Sequence, residues 1–150
     1  MKLDFGSGYN PQKGYLTCDF TSNPFLDFHF ENYKIVNKHG EKVKSNSFDE
    51  IVCRNVLHHI SNLELVIFEL QRVLNYNGKL RIIEPNKDYF KQNVFLDKLW
   101  YRFINDRKDI WFSETYRDYQ YILNKYFSSF KMVLQGEKEY ITCFKKEKLK

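Results

Sequence analysis

The sequence predicts one α/β domain, residues 1–150, whose sheet is mostly parallel and ends in an antiparallel hairpin. A strand–helix–strand unit from Phe48 to Glu84 indicates a parallel strand pair joined by a right-handed crossover. Two apolar runs, 130–134 and 139–144, are separated by only four residues, which suits an antiparallel connection. A chain of 150 residues is long enough to bury one core of its own.

The composition indicates a folded, intracellular protein. Hydrophobic residues make up 43% of the chain and aromatic residues 18%, which is typical of globular domains. No run of 18 apolar residues occurs and the chain begins directly with a strand, so we expect neither a membrane span nor a signal peptide. Cys18, Cys53 and Cys143 lie in apolar runs without metal-ligand spacing, and we interpret them as buried thiols in the reducing cytoplasm. The net charge of +5 comes largely from residues 145–150, which we interpret as a solvated tail rather than a binding arm.

Short strands are predicted in the first third of the chain. Leu3 and Phe5 alternate with polar neighbours, as in a half-buried strand. The same pattern predicts strands over 15–20 and 25–30. Further on, a hairpin with its tip at 38–41 is expected between Lys34–Val36 and Lys42–Val43.

A helix is predicted to follow the strand over 48–53. Ser61 and Glu64 form a capping box that opens this helix, and Asn75–Gly78 is expected to end it. Its apolar stripe predicts burial of one face, formed by Leu63, Val66, Ile67, Leu70, Val73 and Leu74. A strand over 79–84 and two helices over 88–104 and 113–126 complete the chain before the hairpin.

Two glycines, Gly6 and Gly8, follow the first strand directly. A turn of this kind bends the backbone sharply and lets a ligand lie against bare main chain. Asp4 adds an acceptor at the carboxyl end of the strand. On its own, the pattern fits any tight turn.

Three stretches in this order resemble class I S-adenosylmethionine-dependent methyltransferases. Leu3–Gly8 is similar to the family's cofactor motif, and Ser47–Val52 with Asn55–Ile60 resembles its fourth strand and the helix entry after it. Leu70–Leu74 with Asn77–Leu80 resembles the turn into its fifth strand, although Asn77 stands where proline is commoner. The resemblance implies a Rossmann-like sheet and S-adenosyl-L-methionine as cofactor.

The resemblance also implies which residues contact the donor. Gly6-Ser7-Gly8 would lie along its methionine part, and Asp4 would attract its ammonium group. Asp19 would accept the ribose hydroxyls, with Phe20 beside it on the adenine. The full predicted set is Asp4, Gly6, Ser7, Gly8, Asn10, Asp19, Phe20, Glu31, Arg54 and Asn55.

His58 and His59 are the candidates for a catalytic base, because a neutral imidazole can accept a proton near pH 7. The opposing interpretation is that histidines at this position hold the start of the following helix. Methyl transfer from an activated donor needs mainly alignment and exclusion of water, so a catalytic base is not required.

A dinucleotide site is the natural alternative for a G-x-G turn. It needs a third glycine, where this chain has Pro11, and an acidic residue about 20 positions on. Asp19 comes only 13 positions after Gly6, which leaves no room for the intervening helix. The pattern therefore disfavours nicotinamide binding.

The connections after the first two predicted strands are too short for helices. Only six residues separate Gly8 from Tyr15 and four separate Phe20 from Phe25, whereas helical crossovers need a dozen or more. We therefore expect a sheet with helices reduced on one face. Because an open apolar face is unusual in a monomer, we expect a homodimer or another protein partner on that face.

The methyl acceptor is not encoded in any motif. The Asn/Asp-Pro-Pro-aromatic motif of amino-methylating enzymes and the proline–cysteine setting of cytosine enzymes do not occur. We therefore expect a small molecule, or a sugar or lipid intermediate, rather than nucleic acid. The alternatives are a non-catalytic subunit with the same fold and, ranking below it, an RNA-directed methyltransferase.

Overall fold

The computed structural model describes residues 1–21, 23–86 and 116–145, with 116–119 for the backbone only. The strands are β1 (Lys2–Phe5), β2 (Leu16–Asp19), β3 (Phe28–Glu31), β4 (Lys34–Asn37), β5 (Phe48–Arg54), β6 (Leu74–Pro85), β7 (Ser129–Gln135) and β8 (Lys138–Phe144). The helices are a 3-10 turn over Leu57–His59, α1 (Leu63–Val73) and α2 (Tyr116–Tyr126).

The strands form one sheet in the order β4-β3-β2-β1-β5-β6-β8-β7. The five strands from β3 to β6 in this order pair in parallel, whereas β4, β8 and β7 pair antiparallel with their neighbours. This arrangement confirms the predicted mostly parallel sheet with an antiparallel terminal hairpin. The carboxyl ends of β1, β2 and β5 meet at one edge of the sheet, where the glycine turn and Asp19 lie.

One face of the sheet forms the core. Leu3, Ile51 and Leu80 lie side by side on adjacent strands and are fully buried. They pack with the buried stripe of α1, which includes Val66 and Leu70. At about 25 cal/mol per Å² of apolar surface, this cluster is the main favourable contribution to folding.

The opposite face of the described sheet is largely polar. Neighbouring strands place Thr17, Asp4, Val52, Arg81 and Thr142 in one row across it. In the next row, the buried carboxylate of Glu50 lies 3.4–3.5 Å from the cationic groups of Lys2, Lys79 and Arg81. The premise of an open apolar face is therefore wrong for these residues, and the homodimer stays a prediction that sedimentation tests.

The parallel connections β1 to β2 and β2 to β3 are made by turns. In the described part of these connections no helix occurs, as the short spacing predicted. Asp27 holds the second connection, since its Oδ2 accepts hydrogen bonds from the amide and hydroxyl of Thr17 at 2.8 and 3.0 Å. The third strand begins at Phe28 rather than Phe25, because the amides of Phe25 and Leu26 donate to the side-chain and backbone oxygens of Asn23 and form a turn.

Two predicted boundaries around α1 are wrong by a few residues. Asn62, not Ser61, caps the helix, because its side chain accepts the amide hydrogen of Leu65 and no capping box forms. The helix ends at Val73, and residues 75–78 belong to β6 rather than to a separate turn, because Leu74 already pairs with Phe48. The predicted helix over 88–104 and the start of the next at Ser113 lie outside the described residues.

Lys145 is buried, which corrects the expectation that the basic tail is solvated from this residue onward. Its ammonium donates to the carbonyls of Gln71 and Leu74 at the carboxyl end of α1, and to Asn46 Oδ1, at 2.6–2.8 Å. Burial lowers the pKa of Lys145. A cation there complements the helix dipole and the unpaired carbonyls.

No helix in the described ranges has the length and apolarity needed to span a membrane.

Candidate cofactor-binding site

The glycine turn is tied to the end of β2 by its own amides. Gly6 and Ser7 both donate to the Cys18 carbonyl, at 2.8 and 3.2 Å. Gly8 donates to Asp19 Oδ2 at 2.7 Å. The turn therefore has a fixed shape and has none of these three amides left for a ligand.

This pattern distinguishes the turn from a phosphate-binding loop. Phosphate groups are bound by free backbone amides at a helix N-terminus, and here the amides are occupied and turns follow instead of a helix. The occupied amides are therefore a second argument against dinucleotide binding, besides Pro11 and the early position of Asp19. The turn instead offers its carbon surface and carbonyl groups.

The two glycines are required for different reasons. Gly6 has φ +73°, and a Cβ there would lie 2.3 Å from Val56 Cγ2, so Val56 can pack against the turn only because the side chain is absent. Gly8 has φ +53°, with open space where a Cβ would be. Space at Gly8 is what a ligand lying on the turn needs.

Asp19 lies at the end of β2 beside the turn and is 9% exposed. Its Oδ2 accepts the Gly8 amide and its Oδ1 accepts the Phe20 amide at 2.6 Å. Each carboxylate oxygen can accept a further hydrogen bond. The carboxylate is thus held in one orientation with acceptor capacity left for two neighbouring hydroxyls.

Aromatic rings form a wall next to Asp19. Phe20, Phe5 and Phe30 contact one another edge-to-face, with ring centroids 5.0–5.4 Å apart. Tyr33 continues the wall against Phe30 at 6.3 Å. Phe20 remains 45% exposed, so a flat apolar ligand can still pack against it.

These elements enclose a cleft of about 690 Å³. Its size suits a nucleoside-sized ligand, since small-molecule sites typically measure roughly 300–1,000 Å³. The cleft is lined by Gly6, Asp19, Phe20, Phe30, Asn32, Tyr33, Asn55, Val56, His59, Ile60 and Ser61.

Glu84, at the end of β6, positions the far wall of the cleft. Its Oε1 accepts the amides of Val56 and Leu57, both at 2.9 Å. Its Oε2 is hydrogen-bonded to His58 Nδ1. A buried carboxylate therefore holds the 3-10 turn that brings Val56 and His59 to the cleft.

The two histidines have different positions. His58 is 5% exposed, is bonded to Glu84 and does not line the cleft, which favours the interpretation that it holds the turn. His59 lines the cleft, with its ring centroid 3.9 Å from that of His58. Only His59 is placed to meet a ligand there.

Arg54 and Asp4 form an ion pair at the carboxyl ends of β5 and β1. Arg54 Nη2 lies 2.6 Å from Asp4 Oδ2 and 2.9 Å from the Asn10 carbonyl. Asp4 Oδ2 also accepts the Gln12 amide at 2.7 Å. The pair thus holds the loop over 10–12, which stands where a longer fold would have its first helix.

Five predicted site residues line the cleft, namely Gly6, Asp19, Phe20, Asn55 and His59. Ser7 and Gly8 continue the same turn, and Asp4, Asn10 and Arg54 lie in the ion-paired cluster next to it. Glu31 is exposed and does not line the cleft, because β3 turns into β4 at Asn32 and Tyr33, which take its place.

The structure adds cleft residues that the sequence pattern did not identify. Asn32 and Tyr33 have φ +47° and +58° and form the two-residue connection of the β3–β4 hairpin. Asn followed by a second residue with positive φ is a hairpin turn signal, but Tyr33 made it hard to recognise. Phe30, Ile60 and Ser61 also line the cleft and were not predicted, because the sequence pattern indicated only core positions for Phe30 and Ile60 and a helix cap for Ser61.

The cysteines do not supply a nucleophile in this structure. Cys18, Cys53 and Cys143 are buried and unpaired with one another. Burial raises the pKa of all three thiols, that of Cys143 to about 12. Among the described residues no cluster of His, Cys, Asp or Glu could hold a metal ion.

The family described as methyltransferase domain matches residues 20–124, more than two thirds of the chain. The matched range begins just after the glycine turn and Asp19. The chain therefore belongs to the methyltransferase-domain family, as its motifs predicted. S-adenosyl-L-methionine is the cofactor that this family assignment supports.

A relative of undescribed activity is similar to part of the chain. An uncharacterized protein of Methanocaldococcus jannaschii is 35% identical over 97 residues, which are 62% of this chain and 43% of that protein. The match thus spans less than half the length of that relative.

Solved structures establish the fold. A candidate S-adenosyl-L-methionine-dependent methyltransferase of Methanococcus maripaludis superposes with a TM-score of 0.63 at 20% identity, over 99% of this chain and 78% of that one. A Haemonchus contortus phosphoethanolamine N-methyltransferase, in complex with S-adenosylhomocysteine, superposes with a TM-score of 0.62 at 11% identity, over 97% of this chain and 48% of that one. The Rossmann-like methyltransferase fold with few helices is thereby confirmed.

Proposed function

We propose that this protein transfers a methyl group from S-adenosyl-L-methionine to a small molecule, or to a sugar or lipid intermediate. The observation that carries the proposal is the cleft in which Asp19, the amide-saturated glycine turn and the aromatic wall converge. A doubly oriented carboxylate suits the two ribose hydroxyls, and Phe20 suits the adenine. The donor supplies an activated methyl group on a sulfonium.

The chain's own groups then have defined tasks. The glycine turn and Asp19 orient the donor, and the Glu84-held 3-10 turn closes the opposite wall. Orientation and exclusion of water are the main contributions that such a transfer needs. His59 lies in the cleft and can accept a proton from an acceptor that must lose one.

The charge of the cleft favours a small acceptor. No lysine or arginine is found among the described residues that line it, whereas sites for nucleic acids depend on cations that contact phosphates. Buried free thiols are consistent with a cytoplasmic protein, which is part of the proposal.

Calorimetric titration with S-adenosylmethionine and S-adenosylhomocysteine tests donor binding. We expect the wild type to bind both, and Asp19→Ala to weaken binding by about tenfold or more, because two charge-assisted hydrogen bonds are lost. Gly8→Val should abolish binding, since valine is strained at φ +53° and fills the open space.

The matched control is Asp49→Ala, which removes an exposed carboxylate at the opposite end of β5. It should bind like the wild type. Circular dichroism on every variant separates lost binding from lost folding. A folded wild type that binds neither compound would overturn the proposal.

The acceptor class is tested with donor labelled in its methyl group. The protein is incubated with a small-molecule extract and, separately, with total RNA. Label in the small-molecule fraction is expected. Label in RNA would replace the proposed acceptor class, and donor binding without transfer to either would favour a non-catalytic subunit.

A further inference from the structure

The sheet face opposite α1 has an excess of positive charge. Its side chains come from β1, β5, β6, β8 and β7, which are neighbours in the sheet. The strand registers place six basic side chains on this face, namely Lys2, Arg54, Lys79, Arg81, Lys131 and Lys138. Within these five described strands, the face has two carboxylates, Asp4 and Glu50. The excess of four positive charges compares with a net charge of +5 for the whole chain, and we call this surface the basic face.

The basic face is open to solvent. The side chains of Lys2, Lys79 and Arg81 are 53%, 45% and 39% exposed. Their cationic groups lie 3.4–3.5 Å from the buried Glu50 carboxylate, which can balance only one of these three charges. Lys131, on the edge strand β7, is exposed as well. Because like charges held close together on a sheet repel one another, this surface favours an anionic partner.

Exposed apolar side chains lie among these cations. Val133 and Phe144 are 45% and 43% exposed. Phe144 lies opposite Lys79, and Val133 is two positions after Lys131 on β7. Since neighbouring strands are about 4.7–4.9 Å apart, the five strands spread these groups over roughly 20 Å. The basic face is therefore a broad surface on which cationic and apolar groups are mixed.

This mixture fits an anionic lipid bilayer better than nucleic acid or a second copy of the chain. At a bilayer surface, lysines contact the headgroup phosphates while apolar side chains enter the interface beside them. A nucleic-acid backbone complements the cations but gives Val133 no apolar surface to pack against. A second copy docked through the same face would bring equal positive charges together.

We propose that the basic face docks this protein on an anionic lipid surface. Lys79, Lys131 and Lys138 provide the long-range attraction, and Val133 and Phe144 enter the bilayer interface. None of these five residues lines the cofactor cleft. The docking therefore does not depend on donor binding, and the two can be tested separately.

Co-sedimentation with lipid vesicles tests the docking. The full chain is mixed with vesicles of phosphatidylglycerol and phosphatidylcholine in equal parts, with vesicles of phosphatidylcholine alone, and with a single-stranded RNA oligonucleotide. We expect binding to the anionic vesicles that weakens as the salt concentration rises, because salt screens the attraction. We expect no binding to the neutral vesicles.

The main variant combines Lys131→Gln with Lys138→Gln. It should weaken binding to the anionic vesicles by about 30-fold, roughly fivefold for each lysine. The matched control combines Lys42→Gln with Lys44→Gln, which removes the same charge at two exposed positions beyond β4, at the other edge of the sheet. The control should change the affinity by less than about twofold, because those lysines are too far from the basic face.

Val133→Thr separates lipid binding from nucleic-acid binding. Threonine keeps the shape of valine but adds a hydroxyl, so this variant should weaken binding to the anionic vesicles by about two- to fivefold. Binding that depends on phosphate contacts alone would not change.

Calorimetry with S-adenosylhomocysteine and circular dichroism on each variant distinguish lost docking from lost donor binding or lost folding. Both measurements should be the same for the lysine variants and the wild type. Absence of binding to anionic vesicles, equal binding to neutral vesicles, or equal weakening by the two lysine pairs overturns the docking proposal, whatever the donor affinity. Tighter binding to the RNA than to the anionic vesicles also overturns it and assigns the basic face to nucleic acid.

Discussion

Two carboxylate–arginine pairs in this protein have opposite hydrogen-bonding environments. In the Glu69–Arg72 pair, Glu69 Oε1 accepts the Ile35 amide and Arg72 Nη2, and Oε2 accepts Arg72 Nε and Lys34. Arg72 also donates to Ser45 and to the Val43 carbonyl. In the Asp4–Arg54 pair, one carboxylate oxygen and one guanidinium nitrogen have no partner.

The difference distinguishes a pair whose hydrogen-bonding atoms are all used within the chain from a pair that has unpartnered polar atoms. Glu69 links α1 to β4, Arg72 links α1 to the segment after β4, and both carboxylate oxygens of Glu69 are used within the chain. Asp4 and Arg54 link β1, β5 and the loop over 10–12, but Asp4 Oδ1 and Arg54 Nε have no hydrogen-bond partner. Both carboxylates are fully buried, so their burial does not distinguish the pairs, whereas the unpartnered atoms do.

The largest expected effect is on the Glu69–Arg72 pair. Arg72→Met should lower the free energy of unfolding by about 3–5 kcal/mol, because it leaves the Glu69 carboxylate buried without its main partner. Urea unfolding followed by circular dichroism measures this. Glu64→Gln, which breaks the exposed pair with Lys125, is the control and should leave the urea midpoint nearly unchanged, because solvent screens surface pairs. If Arg72→Met lowers the free energy of unfolding by less than about 1 kcal/mol, the Glu69–Arg72 pair is no more important for stability than the Asp4–Arg54 pair.

The second effect is a pH dependence of stability that originates from Glu69. Burial by itself raises the pKa of Glu69, but the hydrogen bonds from Arg72 and the Ile35 amide outweigh it and lower the pKa below the ordinary 4.5. A depressed pKa in the folded state means that the contribution is complete above pH 4.5 and is lost as the pH falls through the folded-state value.

Urea midpoints between pH 7 and pH 3 test this for the wild type and Glu69→Gln. Glu69→Gln should be less stable than the wild type at pH 7, and the difference between their urea midpoints should become smaller below pH 4.5. Comparing the two proteins isolates Glu69 from Asp49, Glu50 and Glu64, whose pKa values are also lowered. A difference in urea midpoint that stays constant from pH 7 to pH 3 would show that protonation of Glu69 does not affect stability.

The parts of the site that could be predicted from the sequence are those set by local order. The glycine turn and Asp19 follow directly from strands whose alternation is visible, and parallel strands bring their carboxyl ends to one edge. The family resemblance then supplied the donor. These residues lie close together in the structure because each is at, or directly after, the carboxyl end of a strand in the same parallel sheet.

The features that the sequence did not predict are contacts between distant residues. Arg54 is 50 positions from Asp4, and Glu84 is 26–28 positions from the 3-10 turn it holds. Two adjacent histidines cannot be distinguished by pattern, since a 3-10 turn sends consecutive side chains in different directions. Asn62 and Ser61 can each cap a helix, and the packing of α1 decides between them.

The smallest expected effect concerns Arg54 without ligand. Arg54→Met should lower the free energy of unfolding by only about 1 kcal/mol, less than Arg72→Met, although both changes remove the arginine from a buried carboxylate. The Arg54 side chain is 29% exposed, so water can replace it, and Asp4 Oδ2 keeps the Gln12 amide.

The same experiment with saturating S-adenosylhomocysteine sharpens the comparison. A ligand that binds the folded state adds stability in proportion to the logarithm of its concentration over its Kd. The wild type should therefore gain more from the ligand than Arg54→Met, while Lys2→Met, on the same face, should gain as much as the wild type. If Arg54→Met loses as much stability without ligand as Arg72→Met does, the unused atoms at Asp4 and Arg54 do not mark a binding pair, and both pairs are structural.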